Sequence, residues 1–383
     1  MQIQPFTVEI DQSDLDDLRH RVRATRWPDP EPVEDWSQGV PRAAMRELAA
    51  YWADHYDWRR LEARLKTVPQ LRTRIDGVDI HFLHVESSHP DAIPLVLTHG
   101  WPGSFVEFLD VLEPLAEPVD DSMAFHVVVP SLPGYGFSGR PTETGWGIER
   151  IARAWAELMR RLGYDRYGAS GGDWGTSIST MLGLRDPEHV LGLHLTPPLV
   201  APEVTDPSAL TPYERESLEL LAGTVDGSAY ARLHATRPQT LGYGLSDSPV
   251  GLAAWIFEKL AAWADVPSPD RIFEVLDRDR VLDNITLYWL TGTAASSARL
   301  YWESHATVDG WFRDGTTDRI DVPVGAAVFR DNPRPSRRWA EQRFSDIRYW
   351  STPERGGHFA AFEQPEIFVR ELRASFAAMR ERP

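Results

Sequence analysis

The pattern of apolar and polar positions changes character near residue 72. Before that point, apolar residues recur at helical spacing, for example at Leu15 and Leu18, so residues 1–72 are expected to form an N-terminal helical extension. After it, the segment LRTRIDGVDIHFLHVE alternates between apolar and polar residues on both sides of Asp76-Gly77. This combination is a strong β-hairpin signal, and we expect a sheet to begin here.

Short apolar runs then alternate with helical stretches through residues 73–200; the runs lie in IPLVLTHG, FHVVVPSLPG, DRYGASGGDWG and VLGLHLTPP. Strands that alternate with helices predict a mostly parallel central sheet with helices on both faces. Helical patterns dominate residues 201–318, which indicates a cap inserted over the ligand face of the sheet. Strand signals return in residues 319–383. The expected α/β fold therefore has a core in two parts, 73–200 and 319–383, with a helical cap between them.

Composition and charge exclude several classes of function. The chain has 383 residues, 42% of them apolar, and a formal net charge of −17, which disfavours binding to nucleic acid or to an anionic membrane. The sequence contains no cysteine, so disulfides, zinc–thiolate sites and cysteine nucleophiles are excluded. The N-terminus shows neither a signal peptide nor a membrane-spanning run. We therefore expect a folded cytoplasmic protein without a membrane or nucleic-acid partner.

Candidate chemistry lies in three loops that follow predicted strands, where doubly wound sheets bind ligands. These loops are HGWPGS (His99 to Ser104), GGDWG (Gly171 to Gly175) and ERGGHF (Glu354 to Phe359). A tight turn of the form small-x-nucleophile-x-small exposes a nucleophile between a strand and a helix. Both Ser170 and Asp173 fit this form. The apolar face of the following helix favours Asp173, and the alternative is that Asp173 only caps that helix.

A carboxylate nucleophile needs a histidine that activates water against the resulting ester. His358 follows the last strand signal within a glycine-rich loop, and Asp331 follows the penultimate strand, where it can orient the histidine. The order Asp173, Asp331, His358 is that of the α/β-hydrolase fold. The backbone N–H groups of Trp101 and Trp174 are the expected oxyanion donors. Each assignment has an ordinary alternative. His358 can be a structural histidine, Asp331 can be an acid in a surface turn, and the loop HGWPGS can be a simple turn at Pro102-Gly103.

Long motifs of the chain resemble the microsomal-type epoxide hydrolase family, which includes the insect juvenile hormone epoxide hydrolases. The resemblance covers nearly the whole chain; it is carried by HGWPGS, PSLPGYGFSG, GGDWG, GGHFAAFEQPE and the N-terminal segment PFTVEIDQSDLDDLRHRVRATRWPD. It implies an α/β-hydrolase fold and Asp173 as the nucleophile. It also implies two cap tyrosines that protonate the epoxide oxygen, Tyr230 in DGSAY and Tyr301 in SSARLYWES. The family often has glutamate where this chain has Asp331, and its membrane-bound members begin with an anchor that this chain lacks, so the chain resembles soluble bacterial members.

These observations predict an epoxide hydrolase without cofactor or metal, whose partners are a small-molecule epoxide and water. The product is expected to be a vicinal diol. With 15 tryptophans and 15 phenylalanines, the substrate is expected to be bulky and hydrophobic or aryl. One alternative is a haloalkane dehalogenase with the same Asp nucleophile, and another is a non-catalytic binding module with a hydrolase fold. The sequence leaves the oligomeric state open, a homodimer included.

Overall fold

A nine-stranded mixed sheet organises the computed structural model, which describes residues 2–120, 122–330 and 334–380. The strands are β1 (Gln4–Pro5), β2 (Gln70–Ile75), β3 (Val78–Val85), β4 (Ile93–Thr98), β5 (Phe125–Pro130), β6 (Tyr167–Gly172), β7 (Val190–Thr196), β8 (Val324–Ala327) and β9 (Ile347–Ser351). Their order in the sheet is β1-β2-β3-β5-β4-β6-β7-β8-β9. The pairs from β1 to β5 are antiparallel, and those from β5 through β4 to β9 are parallel.

The predicted hairpin is confirmed. Ile75 pairs with Val78, so Asp76 and Gly77 form a two-residue turn, with φ angles of 47° and 83°. Two successive positive φ angles match the right-handed twist of the flanking strands, and Asp-Gly is a favoured pair for such a turn. The N-terminal region is not purely helical, because Gln4 pairs with Arg72 and adds the edge strand β1 to the sheet.

Helices cover both faces of the central strands, as the sequence predicted. Leu95, Val96 and Leu97 are consecutive residues of β4 and are all fully buried, although successive side chains point to opposite faces. The core helices are α4 (Leu112–Ala116), α5 (Ile148–Arg161), α6 (Trp174–Arg185), α13 (Arg337–Ala340), α14 (Ala360–Glu363) and α15 (Pro365–Arg380). Helix α6 packs against β4, β6 and β7, whereas α15 packs against β7, β8 and β9.

The N-terminal helices are α1 (Gln12–Arg23), α2 (Arg42–Asp54) and α3 (Trp58–Leu65), and the helices between β7 and β8 are α7 (Pro212–Gly227), α8 (Ala229–Thr236), α9 (Pro238–Asp247), α10 (Pro249–Trp263), α11 (Arg278–Thr291) and α12 (Ala294–Arg313). Shorter 3₁₀ turns occur at Phe105–Phe108, Pro207–Ala209 and Pro269–Glu274. Helices α8 and α9 both pack against α12. Within the described ranges, no helix has the length and apolar character needed to cross a bilayer.

Helix α11 joins the N-terminal helices to the loop that follows β4. On one side, the indole N–H of Trp52 donates to Thr286 Oγ1 at 2.9 Å, and Tyr56 OH donates to Asp283 Oδ1 at 2.7 Å. On the other side, Asn284 Nδ2 donates to the Pro102 carbonyl at 2.8 Å, and Tyr288 OH donates to the carbonyl of Gly103 at 2.7 Å. The loop HGWPGS is therefore held between the sheet and the cap.

Candidate active site

The turn between β6 and α6 presents Asp173 at the carboxyl end of the sheet. Asp173 has φ 52° and ψ −126°, a conformation that L residues rarely adopt. A Cβ atom on Gly171 would lie 2.5 Å from the carbonyl carbon of Gly175, and one on Gly175 would lie 1.9 Å from the Thr98 oxygen. Only glycine fits at both positions, so the sequence GGDWG forms the tight turn that the small-x-nucleophile-x-small pattern requires.

Ser170, the other candidate for this turn, lies inside strand β6. Its side chain is fully buried, and its Oγ lies 2.9 Å from Nδ1 of the buried His194. Burial lowers the pKa of His194 to about 4, so the imidazole is neutral at physiological pH. The Ser170–His194 pair therefore belongs to the core, and the geometry favours Asp173 as the side chain that the turn presents.

The loop after β4 directs a backbone N–H at Asp173. Trp101 N–H donates to Asp173 Oδ1 at 2.8 Å. A Cβ atom on Gly100 would lie 2.1 Å from the same oxygen, so the close approach requires glycine there. Trp174 is the first residue of α6, and the first N–H groups of a helix have no partner within it. The two predicted oxyanion donors thus lie in the loop and the helix start that flank the carboxylate.

His358 comes from the loop between β9 and α14. Its Nε2 lies 3.6 Å from Asp173 Oδ2, and its backbone N–H donates to the Trp263 carbonyl at 3.0 Å. Glu363 organises this loop, because its carboxylate accepts the backbone N–H groups of Gly357 and Phe359, both at 3.0 Å. The predicted orienting acid, Asp331, lies outside the described residues.

The two predicted cap tyrosines meet above Asp173. Tyr301 comes from α12 and Tyr230 from α8, and the Tyr301 hydroxyl donates to that of Tyr230 at 3.4 Å. The Tyr230 ring stacks on Trp101 with a centroid separation of 5.0 Å. Burial, with the nearby Tyr230 and Asp173, holds the pKa of Tyr301 well above its usual 10. Tyr301 is therefore a proton donor at physiological pH.

These tyrosines and Asp173 border a cavity of about 210 Å³, measured as the space open to the centre of a water molecule. Most of its lining is apolar or aromatic; it includes Trp174, Pro197, Leu199, Val308 and Phe312. His305, Asp309 and Ser177 add polar groups, and His358 also reaches the cavity. An apolar chamber with a few convergent polar groups is typical of a small-molecule site.

Two other titratable side chains near the residues of the site were missed by sequence reasoning. Glu107 is a carboxyl side chain in the 3₁₀ turn after HGWPGS, and burial raises its pKa to about 8. The Lys259 ammonium lies 4.8 Å from the ring centroid of Tyr230. The signal for both was present, since each is a charged residue within an apolar run, SFVEFL or WIFEKLAAW. Within the described ranges, no group of three or more His, Asp or Glu side chains could hold a metal ion.

Comparisons with known proteins identify the family of this chain. Residues 3–108 match the family described as "Epoxide hydrolase N terminus", and residues 93–262 match "alpha/beta hydrolase fold". The chain is 51% identical to a "Putative epoxide hydrolase" of Stigmatella aurantiaca, over 99% of this chain and 86% of that protein. It is 35% identical to "Epoxide hydrolase 1" of Sus scrofa, over 97% and 88% of the two chains.

Solved structures give the same result. The epoxide hydrolase of Aspergillus niger superposes with a TM-score of 0.88 at 34% identity, covering 99% of this chain and 97% of that one. The juvenile hormone epoxide hydrolase of Bombyx mori has a TM-score of 0.89 at 29% identity, covering 99% and 95%. The shared sequence extends over the cap, the core and the N-terminal region alike. The chain therefore belongs to the epoxide hydrolase family of the α/β hydrolases.

Proposed function

We propose that the protein adds water to an epoxide and releases a vicinal diol, through a covalent ester on Asp173. The observation that carries the proposal is the meeting of three elements around one cavity. The turn residue Asp173 lines the cavity, and the hydrogen-bonded pair Tyr230 and Tyr301 lines it from the cap. His358 also lines the cavity and lies 3.6 Å from the Asp173 carboxylate. A nucleophile, an acid and a base therefore act on one bound molecule.

In the first step, an Asp173 oxygen attacks an epoxide carbon and the ring C–O bond breaks. The ring oxygen leaves as an alkoxide unless an acid protonates it, and Tyr301, with Tyr230, supplies that proton. The high pKa of Tyr301 keeps its hydroxyl protonated until the ring opens. The products of this step are a hydroxyalkyl ester of Asp173 and a tyrosinate.

In the second step, water attacks the carbonyl carbon of the ester while His358 Nε2 takes a proton from it. The negative charge develops on Oδ1, the atom to which Trp101 N–H donates at 2.8 Å, and the Trp174 N–H adds a second donor. The ester C–O bond then breaks, the leaving oxygen takes the proton held by His358, and the diol leaves. The carboxylic acid proton that remains on Asp173 converts the tyrosinate back to tyrosine. We assign to Asp331 the role of orienting His358, which its position between Asp173 and His358 along the chain supports.

The shape and lining of the cavity support a hydrophobic or aryl epoxide as substrate. Its volume of about 210 Å³ and its apolar lining suit a ring or alkyl substituent next to the epoxide. No step of this route needs a cofactor or a metal. The lack of cysteine supports action in a reducing cytoplasm, with epoxide and water as the partners.

Turnover in ¹⁸O-water tests the route. We expect diol from styrene oxide, with ¹⁸O in the peptide that contains Asp173, because hydrolysis at the ester carbonyl leaves a solvent oxygen in the carboxylate. Diol without label in this peptide would show that water opens the epoxide directly.

Chloride release from a chloroalkane by the Tyr301→Phe variant would support the haloalkane dehalogenase alternative. Failure on epoxides, chloroalkanes and esters together would support a binding module.

A further inference from the structure

Asp173 and His358 line a second, much smaller cavity in addition to the one bordered by the tyrosines. Its volume is about 20 Å³ in the same measure, whereas a single water molecule needs roughly 10–15 Å³. Phe108, Phe359 and Phe368 form its apolar walls. The space is thus suited to one ordered water and too small for an organic substrate.

Glu107 places a carboxyl group at this cavity. It is partly buried, and it lines the same space as Asp173 and His358. A Cβ atom on Gly103 would lie 1.3 Å from Glu107 Oε1, so the glycine in HGWPGS is what leaves room for the carboxyl group. Burial raises the pKa of Glu107 to about 8, with the His358 charge opposing and the Asp173 charge adding to the rise. At physiological pH the group is therefore mostly neutral.

Two other polar side chains of the cavity already use their polar atoms within the fold. Leu132 N–H donates to His99 Nε2 at 3.2 Å, which leaves the proton on Nδ1 to donate to the Gly100 carbonyl at 3.0 Å. Burial lowers the pKa of His99 to about 4, which keeps this neutral form. Thr196 Oγ1 donates to the Gly171 carbonyl at 3.2 Å.

We propose that this cavity holds the water that hydrolyses the aspartyl ester, and that Glu107 positions this water for attack. The inference rests on the proposed ester route. The water oxygen forms a bond to the Asp173 carbonyl carbon, one hydrogen passes to His358 Nε2, and the other is held by the carbonyl oxygen of the Glu107 carboxyl group. Glu107 gains and loses no proton, and it acts by fixing the direction of the water. It is therefore a positioning residue whose effect is confined to the second step.

Single-turnover kinetics with styrene oxide separate the two steps, since ester formation and ester loss are followed by rapid quench and intact-protein mass. In Glu107→Leu we expect ester formation within about twofold of the unmodified protein and ester hydrolysis about 100-fold slower, because a misplaced reactant costs about this much. The ester then accumulates, so kcat and KM fall together. Glu107→Gln should remain within about tenfold, because its amide oxygen still accepts the hydrogen of the water.

Glu113→Leu, at an exposed glutamate in α4, is the matched control and should change neither step. If Glu107→Leu does not fold, Gly103→Ala makes the same test, because the three atoms nearest to the added methyl group all belong to the end of the Glu107 side chain. Ester hydrolysis at the unmodified rate in the folded variant would overturn the role of Glu107, as would an equal loss in both steps. If diol formed in ¹⁸O-water leaves no label in the Asp173 peptide, the proposed ester route itself is wrong.

Discussion

Nε2 of His358 lies 3.6 Å from Oδ2 of Asp173, and both side chains line both cavities of the site. One cavity has about 210 Å³ and is bordered by the tyrosines, whereas the other has about 20 Å³ and is bordered by Glu107. The carboxylate can therefore meet an epoxide in one space and water in the other. This separation suits a two-step reaction, because the two reagents do not compete for the same volume.

Replacement of Asp173 by Asn should abolish diol formation without unfolding the protein. Asn keeps an oxygen that can accept the Trp101 N–H, and it tolerates the φ of 52° at this turn, but its amide is a poor nucleophile. We expect kcat to fall by about 10⁴-fold or more. Asp76→Asn is the matched control, because Asp76 also has a positive φ, 47°, and lies in the β2–β3 turn. An Asp173→Asn protein within tenfold of normal turnover would rule out the nucleophile.

Removal of either hydroxyl of the tyrosine pair should slow ring opening. In Tyr301→Phe and Tyr230→Phe the leaving oxygen loses one of two proton donors, and we expect ester formation to be about 100-fold slower in each, with a larger loss in the double variant. Pre-steady-state measurement of the ester checks this. Tyr243→Phe, at a cap tyrosine that is 72% exposed, should react normally. Unchanged ester formation in the double variant would exclude the pair as the acid.

Glu363 should matter for both stability and hydrolysis. Its carboxylate accepts backbone N–H groups from Gly357 and Phe359, which flank His358 in the sequence, and from Asp265. In Glu363→Gln an amide N–H₂ faces N–H donors, so we expect a loss of about 1.5–3 kcal/mol in the free energy of unfolding. Urea denaturation measures this loss.

The same variant should slow ester hydrolysis more than ester formation, because only the second step uses His358 as a base. Glu366→Gln, at an exposed glutamate in α15, is the control for both measurements. Equal rates of hydrolysis in the Glu363 and Glu366 variants would mean that the carboxylate supports the loop without affecting the histidine.

The raised pKa of Glu107 should make stability depend on pH in a predictable direction. Its carboxyl group ionises near 8 in the folded protein and near its ordinary 4.5 when unfolded, so between these values the folded state binds more protons. The contribution of this group to the free energy of unfolding therefore falls as pH rises, by up to about 1.4 kcal/mol per pH unit, and levels off above pH 8. The Glu107→Gln substitution should abolish this fall in the free energy of unfolding, because glutamine does not ionise.

Denaturation curves at pH 5 and pH 8 check the prediction. The advantage of Glu107→Gln over the unmodified protein should be larger at pH 8, while the exposed Glu113→Gln should show no such trend. An advantage that is the same at both pH values would mean that Glu107 is ionised over the whole range.

The sequence was most informative where a local rule determines the structure. Asp76-Gly77 predicts its own turn, because the positive φ angles need these residue types. The glycines around Asp173 likewise predict a tight turn, since a Cβ atom there would meet the backbone. Such features depend on residues that are adjacent in the chain or directly opposite in the fold.

The sequence pattern could not predict contacts between segments that are far apart in the chain. Tyr230 and Tyr301 are 71 positions apart, and only the packing of α8 on α12 brings their hydroxyls together. Sequence pattern alone ranks both as packing aromatics, and the family resemblance was needed to single them out. Glu107 was missed because its burial depends on Gly103 and on the His358 loop, which lies about 250 residues later.

Helix α11 lies between the N-terminal helices and the loop HGWPGS, and it is hydrogen-bonded to both. A cap fixed in this way cannot swing open as a rigid lid without breaking buried hydrogen bonds on either side of the helix. Loss of the cap would also release the loop that carries the Trp101 N–H. The chain should therefore melt in a single cooperative transition, with catalytic competence and overall foldedness disappearing together.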